Sequence, residues 1–323
     1  MTTTQQITFE NNALLLQLLG EHDKNLDIIE DALEVQIATR GNQIQVSGKP
    51  AAVSAAAAGL HSLYQRLSSG QSVTAGDVAA AVRLAQAGAL PDDGEIAGIR
   101  TRKRLINPRT KTQKDYLEAL SRDQLVFGLG PAGTGKTYLA VAKAVEYMLA
   151  GKISRLILSR PAVEAGEHLG FLPGDLRSKV DPYLRPLYDA LHDMLPAEEV
   201  EKRLANGEIE VAPLAFMRGR TLSNAFVILD EAQNTTHVQM KMFLTRLGEG
   251  SRMAITGDLS QVDLPKSVRS GLREAIAVLD GVAGVSFVRF QDEDVVRHPL
   301  VARIVKAYDH FERRQGNPYE VGG

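Results

Sequence analysis

Apolar residues recur at helical spacing in four stretches of the first 90 residues, the pattern of amphipathic helices that share one core. The predicted helices cover residues 11–19, 25–33, 51–67 and 74–87. Between the second and third of them, two short stretches alternate like strands, and the sequence RGNQ at 40–43 predicts the turn of a hairpin. Residues 1–90 are therefore predicted to form a small α+β module.

The rest of the chain contains short runs that are apolar at nearly every position, as buried parallel strands are. The predicted strands cover residues 125–129, 156–158, 225–229, 253–256 and 285–290. A helical stretch over residues 138–149 follows the first of them. This pattern predicts an α/β domain with a mainly parallel sheet.

Composition narrows the function classes. The chain has 323 residues, of which 44 % are hydrophobic and 24 % charged, and it contains no cysteine. Disulfides, thiolate catalysis and cysteine-based zinc sites are therefore excluded. No apolar run reaches the roughly 18 residues of a membrane span, and the first residues lack the order of a signal peptide. We therefore expect a soluble cytoplasmic protein with no membrane partner.

Charge is distributed unevenly, although the net charge is only −2. Residues 1–98 hold 5 Lys and Arg against 11 Asp and Glu, and the remainder carries net +4. Residues 99–114 carry seven cations and no acid. We predict a linker over 91–114 between a module at 1–90 and a domain at 115–323. The basic run is either a solvated surface or a strap that faces nucleic acid.

The sequence GPAGTGKT over 130–137 follows a predicted strand and precedes a predicted helix, which is the setting of a phosphate-binding loop. Glycines let backbone N–H groups curl around phosphate oxygens. The predicted nucleotide-binding residues of this loop are Gly130, Pro131, Ala132, Gly133, Thr134, Gly135, Lys136 and Thr137. Lys136 is expected to reach the β- and γ-phosphates of ATP, and Thr137 to bind Mg²⁺.

Two carboxylates end the apolar run at 225–229. Asp230 is expected to hold Mg²⁺ and bind the nucleotide through it, while Glu231 orients and deprotonates the attacking water. This pair favours nucleotide hydrolysis over phosphorylation of a small molecule. Gln261 follows the next strand, where its amide is expected to sense the γ-phosphate.

Several blocks resemble the PhoH-like ATPases, in particular the YbeZ type. They are GPAGTGKTYLAVA at 130–142, SRPAVEAGEHLGFLPGDLRSKVDPYLRPLYDAL at 159–191, RGRTLSNAFVILDEAQNTT at 218–236, TGDLSQVDLP at 256–265 and DVVRHPLV at 294–301. The resemblance implies one RecA-like P-loop domain preceded by a KH-like module, and ATP hydrolysis linked to RNA metabolism. It also implies a YbeY-type endoribonuclease as partner and work near ribosomal RNA.

The KH likeness concerns the element order of the first 90 residues. KH domains clamp the RNA backbone with a GxxG loop, and the matching position here reads GEHD at 20–23. The second glycine is missing and two acids stand where phosphates would lie. Docking or contact between subunits is therefore favoured over direct RNA binding as the role of this module.

The resemblance to superfamily 1 helicases, carried by DEAQ and GDxxQ, assigns further roles. It places Gln113 where an amide reads adenine, and Ser159 to Pro161 where the chain contacts nucleic acid. The stretch from Gly166 to Leu195 is rich in Gly, Pro and Tyr and long for a crossover, so we expect an irregular functional insertion there.

Hydrolysis at a useful rate usually needs a cation at the γ-phosphate, often from another subunit. No second P-loop-like repeat follows the first. We therefore expect identical chains to form a ring, with six copies, in which each chain supplies this arginine to the site of its neighbour. Arg297 is the first candidate. Its rivals are Arg160, Arg218, Arg220 and Arg269.

The leading interpretation is Mg²⁺-dependent ATP hydrolysis coupled to RNA binding or remodelling, including RNA helicase activity, in RNA processing or ribosome maturation. Two alternatives stay open at this point. One is a nucleotide-switched scaffold that recruits an endoribonuclease, and the other is a P-loop kinase of a small molecule.

Overall fold

The computed structural model describes residues 2–90, 98–161, 176–265 and 267–296, together with 304 and 307. Within these ranges the chain forms eleven strands and ten α-helices. Arg297 and the first third of the predicted insertion, residues 166–175, lie outside the described residues.

The first 90 residues form the predicted α+β module, with one strand more than the sequence pattern indicated. Its elements are β1 (Thr3–Thr8), α1 (Asn12–Leu19), α2 (Lys24–Leu33), β2 (Gln36–Arg40), β3 (Gln43–Gly48), α3 (Pro50–Ser68) and α4 (Ala75–Gln86). The strands pair antiparallel in the order β1-β3-β2, and the helices enclose an aliphatic core against them. The predicted hairpin is confirmed, since Arg40 pairs with Gln43.

Strand β1 escaped prediction because only Ile7 among its six residues is buried, so its sequence TTQQIT shows no hydrophobic alternation. The strand is instead held by its backbone pairing with β3, which involves all six residues. The GEHD stretch lies between α1 and α2 as expected, and its four residues do not contribute to the module core. The likeness of this module to a KH domain stays a prediction.

The described part of the segment 91–114 contains regular structure, and its role as a linker between the two units stays a prediction. A two-stranded hairpin is formed by β4 (Ile99–Arg100) and β5 (Leu105–Ile106), and α5 (Lys111–Arg122) begins within the segment. Ile99 and Ile106 are buried in the same core as α6. The sequence pattern does not indicate this hairpin, because cations dominate the segment and, of its described residues, only Ile99 and Ile106 enter that core.

Six parallel strands form the central sheet, in the order β11-β6-β10-β9-β7-β8. They are β6 (Leu125–Leu129), β7 (Arg155–Arg160), β8 (Ile209–Pro213), β9 (Ala225–Leu229), β10 (Arg252–Gly257) and β11 (Val285–Arg289). The strand predictions are confirmed, and β8 is added at the edge beside β7. Because all six run in one direction, the loops that carry GPAGTGKT, DEAQ and TGDLSQ meet at one edge of the sheet.

Helices cover both faces of this sheet, which explains why its strands are apolar throughout. The helices are α5, α6 (Lys136–Leu149), α7 (Leu176–Met194), α8 (Ala197–Ala205), α9 (His237–Leu244) and α10 (Gly271–Leu279). In β9, Phe226 and Ile228 pack in the core that includes α5, α6 and α7. Val227 and Leu229 point to the opposite core, which α9 and α10 enclose.

Part of the predicted irregular insertion is a regular helix, because α7 runs from Leu176 to Met194. Pro182 and Pro186 made this stretch look irregular, since proline disfavours the interior of a helix. Leu187 and Leu191 are fully buried against α6 and β7, and this packing outweighs the unfavourable propensity. Tyr188 packs against the same core, as expected of a structural aromatic residue.

Among the described helices, none is both long and apolar enough to cross a membrane.

Candidate nucleotide-binding site

The loop from Gly130 to Gly135 joins the end of β6 to the start of α6. Gly130, Gly133 and Gly135 have φ of +137°, +82° and +83°, which side chains with a Cβ rarely adopt. A methyl group at Gly130 would also lie 2.4 Å from the carbonyl oxygen of Phe290. All three positions favour glycine for their backbone conformation, and Gly130 needs it for close packing as well, so the loop forms a tight cradle.

The side chain of Lys136 lies inside this cradle. Its Nζ donates hydrogen bonds to the carbonyl oxygens of Gly130 and Pro131, both at 2.7 Å, and the residue is 8 % exposed. The loop therefore holds an ammonium group at its centre, at the N-terminus of α6. Both the charge and the helix dipole favour an anion at this point.

Three oxygen-bearing side chains meet beside the start of α6. Asp230 Oδ1 accepts a hydrogen bond from Thr137 Oγ1 at 2.6 Å and another from Thr256 Oγ1 at 2.8 Å. Asp230 is 6 % exposed and Thr256 is fully buried. The sequence predicts that Thr137 and Asp230 both bind Mg²⁺, and the structure brings the two into contact. Thr256 was missed as a member of this cluster, although the strand end that carries it was recognised.

The position of Thr256 follows from the strand order. Strand β10 lies between β6 and β9, so its last residues stand between the P-loop and the Asp230–Glu231 pair. The sequence identifies three apolar strands that end in polar residues, but it does not state their order in the sheet. That order is set by long-range packing, which no local motif encodes.

Glu231 follows Asp230 with φ of +51°, a conformation that costs free energy in a residue other than glycine. Both of its carboxylate oxygens are engaged. Gln233 Nε2 donates to Oε2 at 2.5 Å, and Arg160 Nη2 lies 3.4 Å from Oε1. Arg160 Nη1 also lies 3.9 Å from Asp230 Oδ2. Arg160 therefore faces both acids, a position that the sequence left open.

Gln233 joins the DEAQ turn to the loop after β10. Its Oε1 accepts a hydrogen bond from the Asp258 backbone N–H at 3.0 Å, and its Nε2 donates to the Gln261 carbonyl oxygen at 3.1 Å. The residue is fully buried. Gln233 therefore positions Glu231 and the Gln261 loop together, a role that sequence reasoning missed.

A cavity of about 240 Å³ opens between these loops. Lys136, Thr137, Asp230, Glu231 and Gln261 line it. The predicted sensor Gln261 thus belongs to the same cavity wall as the two acids, although its role stays a prediction. Asp258 completes this wall, and its buried Oδ2 has no hydrogen-bond partner among the described residues.

Gln113 lies on the opposite side of the P-loop and is 4 % exposed. Its Nε2 donates to the Thr134 carbonyl oxygen at 2.9 Å, and its Oε1 accepts from the Arg109 backbone N–H at 2.7 Å. Both ends of the amide thus have backbone partners. In this arrangement Gln113 braces the P-loop, while its predicted contact with adenine stays a prediction.

The rival arginines occupy different surroundings. Arg220 forms two hydrogen bonds to the carboxylate of Glu210, at 2.6 and 2.7 Å, and this pairing raises the pKa of its guanidinium further. Arg220 is therefore held as a structural residue. Arg218 and Arg269 are exposed. Arg297 and its neighbour His298 lie outside the described residues.

The donor set fits a magnesium ion bound together with a nucleotide. A hydroxyl and a carboxylate oxygen, from Thr137 and Asp230, already lie within 2.6 Å of each other beside the cradle. Within the described ranges, no group of three or more His, Asp or Glu side chains forms a metal site. Mg²⁺ is usually bound by one or two protein oxygens plus substrate phosphates, and Thr137 with Asp230 supplies two such oxygens.

The fold and the site define the class: a P-loop NTPase with a parallel α/β sheet. Residues 105–309 match the PhoH-like protein family. A PhoH-like protein of Bacillus subtilis is 53 % identical over 299 residues, which cover 91 % of this chain and 93 % of the relative. PhoH-like proteins of Mycobacterium tuberculosis and Synechocystis are 49 % and 45 % identical, over 93 % and 96 % of this chain and 86 % and 96 % of theirs. The chain belongs to the PhoH-like family.

Among solved structures, the chain is similar to a SWI2/SNF2 ATPase core from Sulfolobus solfataricus in complex with dsDNA. The TM-score is 0.38 at 15 % identity, over 71 % of this chain and 56 % of that chain. The family assignment rests on the sequence relatives alone.

Proposed function

We propose that this protein hydrolyses ATP in a Mg²⁺-dependent reaction that is coupled to RNA binding or remodelling. The observation that carries the hydrolytic part is the cluster of Lys136, Thr137, Asp230 and Glu231 around one cavity. Its most direct test is the release of phosphate from ATP by the purified full-length chain, with and without Mg²⁺ and RNA.

In this mechanism each side chain has a separate task. The cradle N–H groups and Lys136 bind the β- and γ-phosphates, and Thr137 with Asp230 holds the metal position. Magnesium, when bound, would neutralise charge on the phosphates and on the leaving oxygen. Glu231 lies in the cavity wall and is suited to orient a water for attack on the γ-phosphorus and to accept its proton.

Arg160 and Gln233 act through Glu231 in this account. Their contacts at 3.4 Å and 2.5 Å fix its carboxylate next to Asp230 despite the unfavourable backbone conformation. A base held in this way needs little reorganisation before the reaction. We infer that hydrolysis by water is favoured over transfer to a small-molecule hydroxyl, because the acid already lies inside the phosphate cavity.

RNA coupling is supported by the basic segment 99–114, where six of the seven cations are exposed. Arg102 and Lys103 lie at the tip of the β4–β5 hairpin. Lys103 Nζ donates to the carbonyl oxygen of His192 and Arg102 Nε lies 3.8 Å from Glu199, so α7 and α8 hold the tip in place. These two exposed cations are held in place at the tip and are suited to phosphate contacts.

Replacement of both Arg102 and Lys103 by alanine is expected to weaken binding of single-stranded RNA. If each cation neutralises one phosphate, the slope of log K against log salt falls in magnitude by about 1.4. Fluorescence anisotropy over a salt series measures this slope. The matched control is Lys202→Ala with Lys241→Ala, which removes two exposed cations elsewhere. A slope equal to that of the control would assign the hairpin tip to solvated surface.

Arg297 is proposed as the arginine that completes the site of a neighbouring subunit in a ring, for which we propose six copies. The described part of the chain contains one parallel sheet and one P-loop, and in this proposal a neighbouring subunit supplies the cation. A closed ring of identical subunits places one surface against each neighbour's site.

Mixing two inactive variants tests this arrangement. Arg297→Ala keeps its P-loop but lacks the arginine, and Lys136→Ala has the opposite defect. In a mixed ring, an intact P-loop faces an intact Arg297 at some interfaces, so part of the ATPase activity is expected to return. As a control, Arg297→Ala is mixed with a variant that carries both Arg40→Ala and Lys136→Ala. The same recovery is expected, because Arg40 is an exposed residue of the N-terminal module. Failure of every mixture to recover turnover, while both variants co-assemble, would exclude Arg297 as a trans residue.

The resemblance to the YbeZ type supports two further proposals. The partner is a YbeY-type endoribonuclease, and the process is RNA processing or ribosome maturation in the cytoplasm. Pull-down of a purified nuclease of this type by the full chain, in the presence of ATP or of ADP, tests the partnership.

A further inference from the structure

A second cavity lies on the other side of the P-loop, next to the phosphate cavity. Its volume is about 350 Å³, within the range of roughly 300–1,000 Å³ that small-molecule sites occupy. Gly133, Gly135 and Tyr138 line both cavities. A ligand whose phosphates lie over Lys136 can therefore continue past the first turn of α6 into this second space.

One wall of the second cavity comes from the N-terminal module. Arg66 at the end of α3 and Asp77 in the first turn of α4 both line it. Arg66 Nη1 lies 3.0 Å from Asp77 Oδ1, while Asp77 Oδ2 accepts hydrogen bonds from the backbone N–H and the hydroxyl of Thr74. The side chains of the pair are only 21 % and 14 % exposed. This wall is thus a fixed ion pair anchored in a helix cap.

Tyr138 also lines this cavity, and its hydroxyl donates a hydrogen bond to Asp193 Oδ2 at 2.6 Å. Burial, together with this hydrogen bond, raises the pKa of Tyr138 to about 12, so the hydroxyl stays protonated at neutral pH. Arg104 Nη2 lies 2.5 Å from the other oxygen of Asp193. Arg104 and Asp193 therefore neutralise each other, as Arg66 and Asp77 do across the cavity.

Arg109 is the remaining cation of this cavity, and among the described residues it has no ion-pair partner. Its backbone N–H is fixed by Gln113, and a methyl group at Gly76 would lie 3.9 Å from its Nη1. The backbone of Arg109 is therefore held by Gln113 beside the P-loop, while its guanidinium lies next to the first turn of α4. A planar guanidinium stacks well on an aromatic ring, which a purine base supplies.

We propose that the nucleoside of the bound nucleotide occupies this second cavity, where Arg109 contacts the base and the Arg66–Asp77 pair of the N-terminal module forms the outer wall. This rests on the proposed nucleotide function, since it extends the same site beyond the phosphates. Nucleotide binding thereby fastens the N-terminal module to the P-loop domain. A direct contact between the two parts already exists nearby, because Lys114 Nζ donates a hydrogen bond to the carbonyl oxygen of Ala89 at 3.0 Å. A stacked guanidinium fits either purine, so Arg109 itself does not distinguish ATP from GTP, and that distinction stays with the predicted contact of Gln113, which lines the same cavity, with adenine.

Comparison of ATP with inorganic tripolyphosphate tests this site separately from the phosphate cradle. Arg109→Ala is expected to raise the dissociation constant of a nonhydrolysable ATP analogue about tenfold and to leave tripolyphosphate binding unchanged. Arg109→Lys keeps the positive charge but removes the planar guanidinium, so most of the loss of affinity for the ATP analogue should persist. The matched control is Arg83→Ala, an exposed arginine on α4 that does not line the cavity. Equal losses for both ligands, or no loss for either, would overturn the role of Arg109.

The wall formed by the N-terminal module is tested by Arg66→Ala and by hydrogen exchange of the wild-type chain. Arg66→Ala is expected to weaken the ATP analogue severalfold but not tripolyphosphate. The analogue should protect backbone amides at the end of α3 and the start of α4, whereas tripolyphosphate should not. Protection limited to the P-loop and β9 would contradict the claim that the N-terminal module forms a wall of the nucleoside site. A normal tripolyphosphate affinity in Lys136→Ala would instead refute the phosphate site, and the proposed function with it.

Discussion

The Lys136→Ala variant is expected to hydrolyse ATP about a hundred- to a thousandfold more slowly than the wild type, the usual effect of removing one donor that stabilises developing charge. The ammonium group lies at the centre of the cradle, 2.7 Å from two loop carbonyl oxygens. No other lysine lines the phosphate cavity as the structure describes it. Phosphate release under saturating Mg²⁺ and ATP measures the effect.

Two controls separate this loss from a folding defect. Lys152→Ala removes an exposed lysine just after the same helix, and it should keep wild-type turnover. Thermal unfolding of Lys136→Ala shows whether the loop still folds, because the two carbonyl oxygens lose their partner. A folded Lys136→Ala variant with wild-type turnover would disprove the cradle as the site of hydrolysis.

The Glu231→Gln variant is expected to lose hydrolysis by about a hundred- to ten-thousandfold while it still binds nucleotide, since general base catalysis contributes rate factors of this size. Glutamine keeps the size of the side chain and lets Gln233 retain a hydrogen-bond partner. It removes the charge that faces Arg160 at 3.4 Å and the ability to accept a proton from water. Single-turnover phosphate release measures the first effect, and titration with labelled ATP measures the second.

Glu249→Gln is the matched control, because it makes the same chemical change at an exposed position. It should leave both turnover and binding unchanged. Loss of ATP binding by Glu231→Gln would place this residue in nucleotide binding and not in proton transfer. Unchanged hydrolysis would remove it from the reaction altogether.

The parts of the site that local sequence determines were predictable. The phosphate loop needs glycines at fixed spacing, so GPAGTGKT identifies Lys136 and Thr137 directly. An apolar strand that ends in two acids likewise identifies Asp230 and Glu231. The contact between Thr137 and Asp230 at 2.6 Å agrees with this pairing.

The parts that depend on long-range packing were not predictable. Thr256 and Gln233 reach the site because β10 lies between β6 and β9. The order of the strands in the sheet cannot be inferred from the sequence of any one strand. Helix α7 forms through its buried leucines although its two prolines argue against a helix. The basic segment folds because Ile99 and Ile106 enter a core built mostly from residues far along the chain.

The most direct test of the account is the rate of phosphate release from ATP by the full-length wild-type chain, measured with and without single-stranded RNA. Lys136→Ala supplies the background. We expect release that requires Mg²⁺, exceeds this background and rises when RNA is added, with phosphate passing to water in both cases. No release above the Lys136→Ala background in either condition would contradict the account.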